Sequence, residues 1–107
     1  DTRANGGSIT TEAKVAIDAI RTRANTSIKN TYSLNDILDE WSREFYYEGR
    51  RRIDLIRFGQ FGGNGEYKWQ WKGGVKEGTV FNSNLNIFAI PDTDLNANSN
   101  LVQNPGY

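Results

Sequence analysis

The sequence predicts a mainly α-helical fold: an αα-hairpin over residues 10–60, then an irregular segment with short β-strands over residues 61–107. Two observations carry this expectation. Apolar residues of the first half recur at three- and four-residue spacing, the period of one helix face. The second half changes character: glycines cluster at 59, 62, 63 and 65, and Tyr67, Trp69 and Trp71 alternate with Lys68 and Gln70, the period of a strand with one aromatic face.

Residues 1–9 show no periodicity and read as a loop. The first helix is expected from Thr10 to about Ala24, where Ala13, Ala16, Ile17, Ile20 and Ala24 share a face. Thr10 or Thr11 can cap its amide end, and Glu12 suits the positive end of the helix dipole. Arg21 and Arg23 lie near its carboxyl end, where cations are favoured, and Asn25 can terminate it.

After a polar connector, Ser33 stands three residues before Asp36, a variant of the capping box. Leu34, Ile37, Leu38, Trp41, Phe45 and Ile56 then fall on or near one face, extended by Leu55 and Phe58. This pattern predicts a second helix over residues 34–58, closed by Gly59 at its carboxyl-terminal cap. Gly49 lies inside it, at a cost of about 0.5–1 kcal/mol relative to alanine. Two helices joined by a short polar loop form the unit that tetratricopeptide-like superhelices stack, although no second copy is visible.

Beyond the glycine cluster, residues 67–71 are expected as a strand, Gly73 and Gly74 as a turn, and residues 75–81 as the returning strand. Residues 85–90 form a further short strand stopped by Pro91. The tail from Asp92 is rich in asparagine, closes on Asn104-Pro105-Gly106-Tyr107, and needs a surface to lie on.

Bulk properties narrow the function. A chain of 107 residues fits one small domain or a piece of a larger one. Its aromatic content, three Trp, five Tyr and five Phe, sits largely in a half with little regular periodicity, so part of its packing surface is expected to belong to chain outside this sequence. Thirteen basic and thirteen acidic side chains cancel, whereas nucleic-acid binding needs a clustered basic excess. No stretch approaches the roughly 18 uninterrupted apolar residues of a membrane span, and Asp1 to Ser8 do not read as a signal peptide. Without cysteine or histidine there is no thiolate or imidazole metal site. Asp92 and Asp94 could at most hold Ca²⁺ weakly. The glycine-rich segments lack a following Lys-Ser/Thr, which argues against phosphate binding. No metal or cofactor is expected.

Two constellations carry competing readings. Glu40, Glu44 and Glu48 share one helical stripe at four-residue spacing, with Arg51 beyond them and Asp54 and Arg57 three apart. Carboxylates one turn apart have Cβ atoms about 5–6 Å apart, compatible with the roughly 5–9.5 Å carboxyl separation of glycoside hydrolysis. Neighbouring arginines keep such carboxylates ionised and unfit as general acids. Structural ion pairing among Glu40, Glu44, Glu48, Arg51, Asp54 and Arg57 is therefore the favoured reading, and an enzyme is not expected. The aromatic stripe of Tyr67, Trp69 and Trp71 either covers a neighbouring helix or offers flat faces to a sugar ring. Packing is favoured, with burial of both tryptophans; these three residues are also the candidate ligand contacts.

Five blocks, taken in order, resemble one family. Ile20-Arg21-Thr22-Arg23-Ala24 resembles its I-R-x-R-A. The stretch from Glu40 to Gly49, with Trp41, Glu44 and Glu48, is similar to its E-R-x-x-E-L-x-F-E-G helix. Arg51 followed by Asp54-Leu55-Ile56-Arg57-Phe58-Gly59 resembles R-x-x-D-L-x-R-W-G. Phe88-Ala89-Ile90-Pro91 resembles F-P-I-P, and Asn100-Leu101 with Gln103-Asn104-Pro105-Gly106-Tyr107 resembles the N-P-x-L-x-Q-N-P-G-Y terminus. Together these blocks frame nearly all of residues 16–107 and identify the chain as similar to the C-terminal portion of SusD/RagB-type proteins. Trp41, Phe58, Ala89 and Ser99 depart from the pattern, which leaves the ligand open.

The resemblance implies a larger SusD-like α-superhelix, of which residues 10–58 are the last helix pair. It implies a non-enzymatic, surface-exposed lipoprotein of the bacterial outer membrane that captures glycans or other polymers for a TonB-dependent, SusC-like transporter. The lipid anchor would lie on an earlier part of the protein, and most sugar contacts with it. The rival expectation is a helical-repeat interaction scaffold that binds protein and no sugar.

Overall fold

The computed structural model describes residues 8–63 and 67–107. The described residues are mainly helical, with α1 at Thr11–Arg23, α2 at Leu34–Glu44, α3 at Arg51–Arg57 and α4 at Asp92–Ala97. Two short 3-10 turns lie at Lys72–Gly74 and Ser83–Asn86. The chain forms two compact units, and the division falls between Arg51 and Arg52, inside the first turn of α3. No described helix is long and apolar enough to cross a membrane.

In the first unit, α1 starts where Thr10 accepts the Ala13 amide proton on its hydroxyl oxygen, at 3.2 Å. It ends because Asn25 takes a left-handed φ of 53°. The Asn25 and Thr26 amides then donate back to the Thr22 and Arg21 carbonyls at 3.0 and 2.9 Å, a closed terminus of the Schellman type. The connector is pinned by Tyr32, whose buried hydroxyl donates to Asp18 at 2.7 Å and accepts from the Lys29 amide at 3.0 Å. At the start of α2 the capping box forms in full: Ser33 accepts from the Asp36 amide, and Asp36 accepts from the Ser33 amide. Ile17, Tyr32, Ile37 and Leu38 are buried.

The expected single helix over residues 34–58 is instead two helices. Phe45 closes α2 with its amide donating to Trp41, and Tyr47 and Gly49 both take left-handed φ, 64° and 72°. Residues just after the break contact α2 from outside the helix. The Arg50 guanidinium lies over the rings of Phe45 and Trp41 at 4.6 and 5.8 Å, and Arg51 donates to the Leu38 carbonyl at 2.8 Å. Gly49 marks a chain reversal and has no neighbour within 4 Å of where a Cβ would stand.

The second unit begins with the rest of α3, which buries Asp54 and Leu55. Gly59, at φ 67°, ends it, and the Gly59 and Gln60 amides return to the Ile56 and Leu55 carbonyls at 2.9 and 2.8 Å. Among the described residues there is no strand where residues 67–71, 75–81 and 85–90 were expected. One isolated parallel bridge joins Gly62 and Phe81. The alternation over 67–71 fails as a strand because Trp71 turns left-handed at φ 66°, and Gly73, Gly74 and Gly78 follow with positive φ. The chain therefore coils rather than extends. Ser83–Asn86 is a 3-10 turn, and the tail carries the short α4 after Pro91, whose carbonyl accepts the Asp94 and Leu95 amides.

Side-chain amides supply the pairing that strands would have provided. Asn86 both accepts from the Gly62 amide at 3.0 Å and donates to its carbonyl at 3.2 Å. Gln103 does the same to Ile90 at 2.8 and 2.9 Å, and Asn104 donates to Phe88 at 2.7 Å. Asn84 donates to Gly106, and the Tyr107 hydroxyl to Ile87 at 2.9 Å. The carboxyl-terminal tail thus lies on residues 84–90.

Candidate functional site

The loop at residues 67–81 is built around a lysine. Lys72 is 1% exposed. Its ammonium donates to the Phe61 carbonyl at 2.9 Å and the Gln60 carbonyl at 3.4 Å. It also stands 4.5 Å from the Trp69 ring centre and 5.0 Å from that of Phe81, within cation–π range. Phe81 meets Phe61 edge to face at 5.3 Å. Burial, and then the like charge of Lys68, push the Lys72 ammonium below its ordinary range.

The backbone winds tightly around this group. The Lys72 amide donates to the Trp69 carbonyl, and the Lys72 carbonyl accepts from Thr79, at 3.2 and 3.1 Å. Gly73 and Gly78 are required here: a Cβ on Gly73 would meet Thr79 and Phe81, and one on Gly78 would meet the Trp69 carbonyl. Both also carry positive φ, which side-chain-bearing residues adopt only with strain.

The three aromatic candidates therefore do not form one stripe. Tyr67 and Trp69 are half-buried and tilted against each other at 6.2 Å. Trp71 faces solvent and is 65% exposed, so the expected burial of both tryptophans fails at this position. Lys72 takes the interior position. The signal available was the pair Gly73-Gly74 directly after Trp71-Lys72, which marks backbone too sharply turned for a strand.

The charged candidates lie in both units. Glu40, 7% exposed, accepts from Arg21 at 2.5 Å and Arg43 at 2.7 Å on one carboxylate oxygen. Arg21 also donates to the Ser27 carbonyl at 2.8 Å. Burial alone would raise the Glu40 carboxyl, but the two guanidiniums outweigh it and hold the group below its usual value. Glu44 pairs with Arg23 at 2.6 Å near the surface, and Glu48 is exposed. The partners of Glu40 and Glu44 thus include α1 arginines, a tertiary relation that the stripe within one helix could not reveal. In the second unit, the buried Asp54 lies 3.8 Å from Arg57.

A cleft of about 560 Å³ opens in the first unit beside Ile20, Arg21, Lys29, Asp39, Glu40 and Arg43. No aromatic ring lines it, so it offers no face for stacking on a sugar. Asp92 and Asp94 occupy the first turn of α4, and among the described residues no group of three or more acidic, histidine or cysteine side chains gathers.

Residues 3–107 match the model of the SusD family. The chain is 50% identical over 92 residues, 85% of its length, to the starch-binding protein SusD of Bacteroides thetaiotaomicron. It spans 16% of that relative's length. With the match running almost from end to end, the chain belongs to the SusD family.

Proposed function

We propose that this chain is the C-terminal portion of a glycan-binding protein of the outer membrane, one that captures oligosaccharides without cleaving them. The observation that carries this reading is the 50% identity to a protein named for binding starch. An α-glucan is accordingly the first ligand to test. In this account the two-helix unit belongs to a tetratricopeptide-like superhelix and serves as scaffold, its carboxylates kept ionised by arginines rather than poised for acid catalysis. The exposed Trp71 is the contact this segment offers to sugar, with the half-buried Tyr67 and Trp69 in the same loop. The captured glycan passes to a SusC-like, TonB-dependent transporter, and a lipid on an earlier part of the protein holds it at the cell surface.

The test is titration calorimetry of the full-length protein with maltoheptaose, followed by chromatography of the recovered sugar. Saturable binding with the sugar intact is the expected result. Cleavage of the sugar contradicts a binding role. Absence of binding to this and other glycans, with a protein partner retained, favours the scaffold reading.

A further inference from the structure

We propose that Lys72 is a positioning residue: its buried ammonium clasps the loop of residues 67–81 and thereby sets the outward display of Trp71. The inference rests on the glycan-binding reading for its consequence, but its structural half stands separately. A buried lysine ordinarily meets a carboxylate. Here the groups around the ammonium are two carbonyls, of Gln60 and Phe61, and two ring faces, of Trp69 and Phe81. Among the described residues the charge acting on it is Lys68, of like sign. The arrangement is a cation cage tethered to the chain.

The cage has a direct geometric effect on its neighbour. With the Lys72 side chain drawn inward and its amide and carbonyl both engaged, the chain reverses at Trp71. The Trp71 amide donates to Lys76 at 3.3 Å, and its carbonyl accepts from Gly74 at 3.0 Å. Trp71 is thus fixed in left-handed backbone, uncommon for a bulky residue, with its ring in solvent. Backbone strain of this kind persists where surrounding contacts over-determine it, and the Lys72 cage supplies those contacts.

The experiment uses the full-length protein labelled with 5-fluorotryptophan, the Trp71 fluorine line being identified by its loss in Trp71→Phe. Lys72→Met keeps the apolar stem and removes the charge, with Lys72→Gln as a second neutral variant should methionine prevent folding; Lys72→Arg retains the charge. The expected result for Lys72→Met is a shifted or broadened Trp71 line. Maltoheptaose affinity should fall about tenfold or more, the scale of an aromatic anchor lost from a binding surface. Trp71→Ala should weaken binding equally, with no further loss in the double variant. Lys72→Arg should restore part of both signals. An unchanged Trp71 line in folded Lys72→Met or Lys72→Gln overturns the clasp, whether or not glycan binds. A changed line with undiminished affinity overturns the positioning role while leaving glycan binding intact. If the wild-type protein binds no glycan, the functional reading fails and the fluorine line alone judges the clasp.

Discussion

The Glu40 carboxylate lies 2.5 Å from the Arg21 guanidinium, and both side chains are at least nine-tenths removed from solvent. This pair joins α2 to α1, and Arg43 adds a second donor at 2.7 Å. Removing one partner strands the other's charge in the interior, which typically costs about 3–5 kcal/mol. Arg21→Ala and Glu40→Gln should therefore each lower stability on that scale in chemical denaturation of the full-length protein. The more exposed Glu44–Arg23 pair should contribute less than about 1 kcal/mol. Equal, small effects from both pairs would contradict the assignment.

Acid should weaken the α2 cap before it disturbs neutral contacts. The Lys29 ammonium, then the Ser33 amide and hydroxyl, lower the Asp36 carboxyl from 3.8 to about 2. Because the folded value lies below the unfolded one, the contribution is complete above about 3.8 and lost as pH falls through about 2. Asp36→Asn should cost about 1 kcal/mol at neutral pH, as caps do. The wild type's advantage over the variant should shrink between those two values. An advantage independent of pH would argue against this account.

Lys72 should give a slope of the same sign at high pH. Its proton is released earlier in the folded chain than at the ordinary 10.5, so the unfolded chain binds more protons across that interval. Stability then rises with pH up to about 10.5. Other lysines and tyrosines titrate there too, so the quantity to measure is the difference between wild type and Lys72→Met from pH 8 to 10.5. That difference should shift toward the wild type as pH increases. A flat difference would place the Lys72 ammonium outside the interior.

Truncating the two loop tryptophans should separate their roles. Trp71→Ala removes a ring that is mostly in solvent and should change stability by no more than about 0.5 kcal/mol. Trp69→Ala removes a wall of the lysine cage and should cost more. Melting temperatures of the two variants, compared in the full-length protein, decide this. A larger loss at Trp71 would show that its ring is packed in the intact molecule.

The helices were legible to the extent that local chemistry decided them. Thr10, Ser33 with Asp36, Asn25 and Gly59 each act at a terminus where sequence alone placed them. The break at Tyr47 and Gly49 was hidden because the apolar spacing resumes at Leu55 and Ile56, which belong to the separate helix α3. The strands failed for a different reason. Alternation describes side chains, but the left-handed backbone at Trp71, Gly73, Gly74 and Gly78 decides whether a chain extends. α4 carried no apolar rhythm beyond Leu95, and its signal was Pro91 followed by Asp92 and Asp94. Of the site, the aromatic residues were visible in sequence; the inward turn of Lys72 was not, since a lysine between a tryptophan and two glycines reads as solvated until the cage around it is seen.

We propose that this segment belongs to a protein that binds glycan and leaves it uncut. Titration calorimetry of the full-length protein with maltoheptaose, with the sugar then recovered and sized, tests it most directly. The account predicts a saturable isotherm, intact sugar, and weaker binding in Trp71→Ala. Shortened sugar, or no heat of binding with this or any other glycan tried, would contradict it.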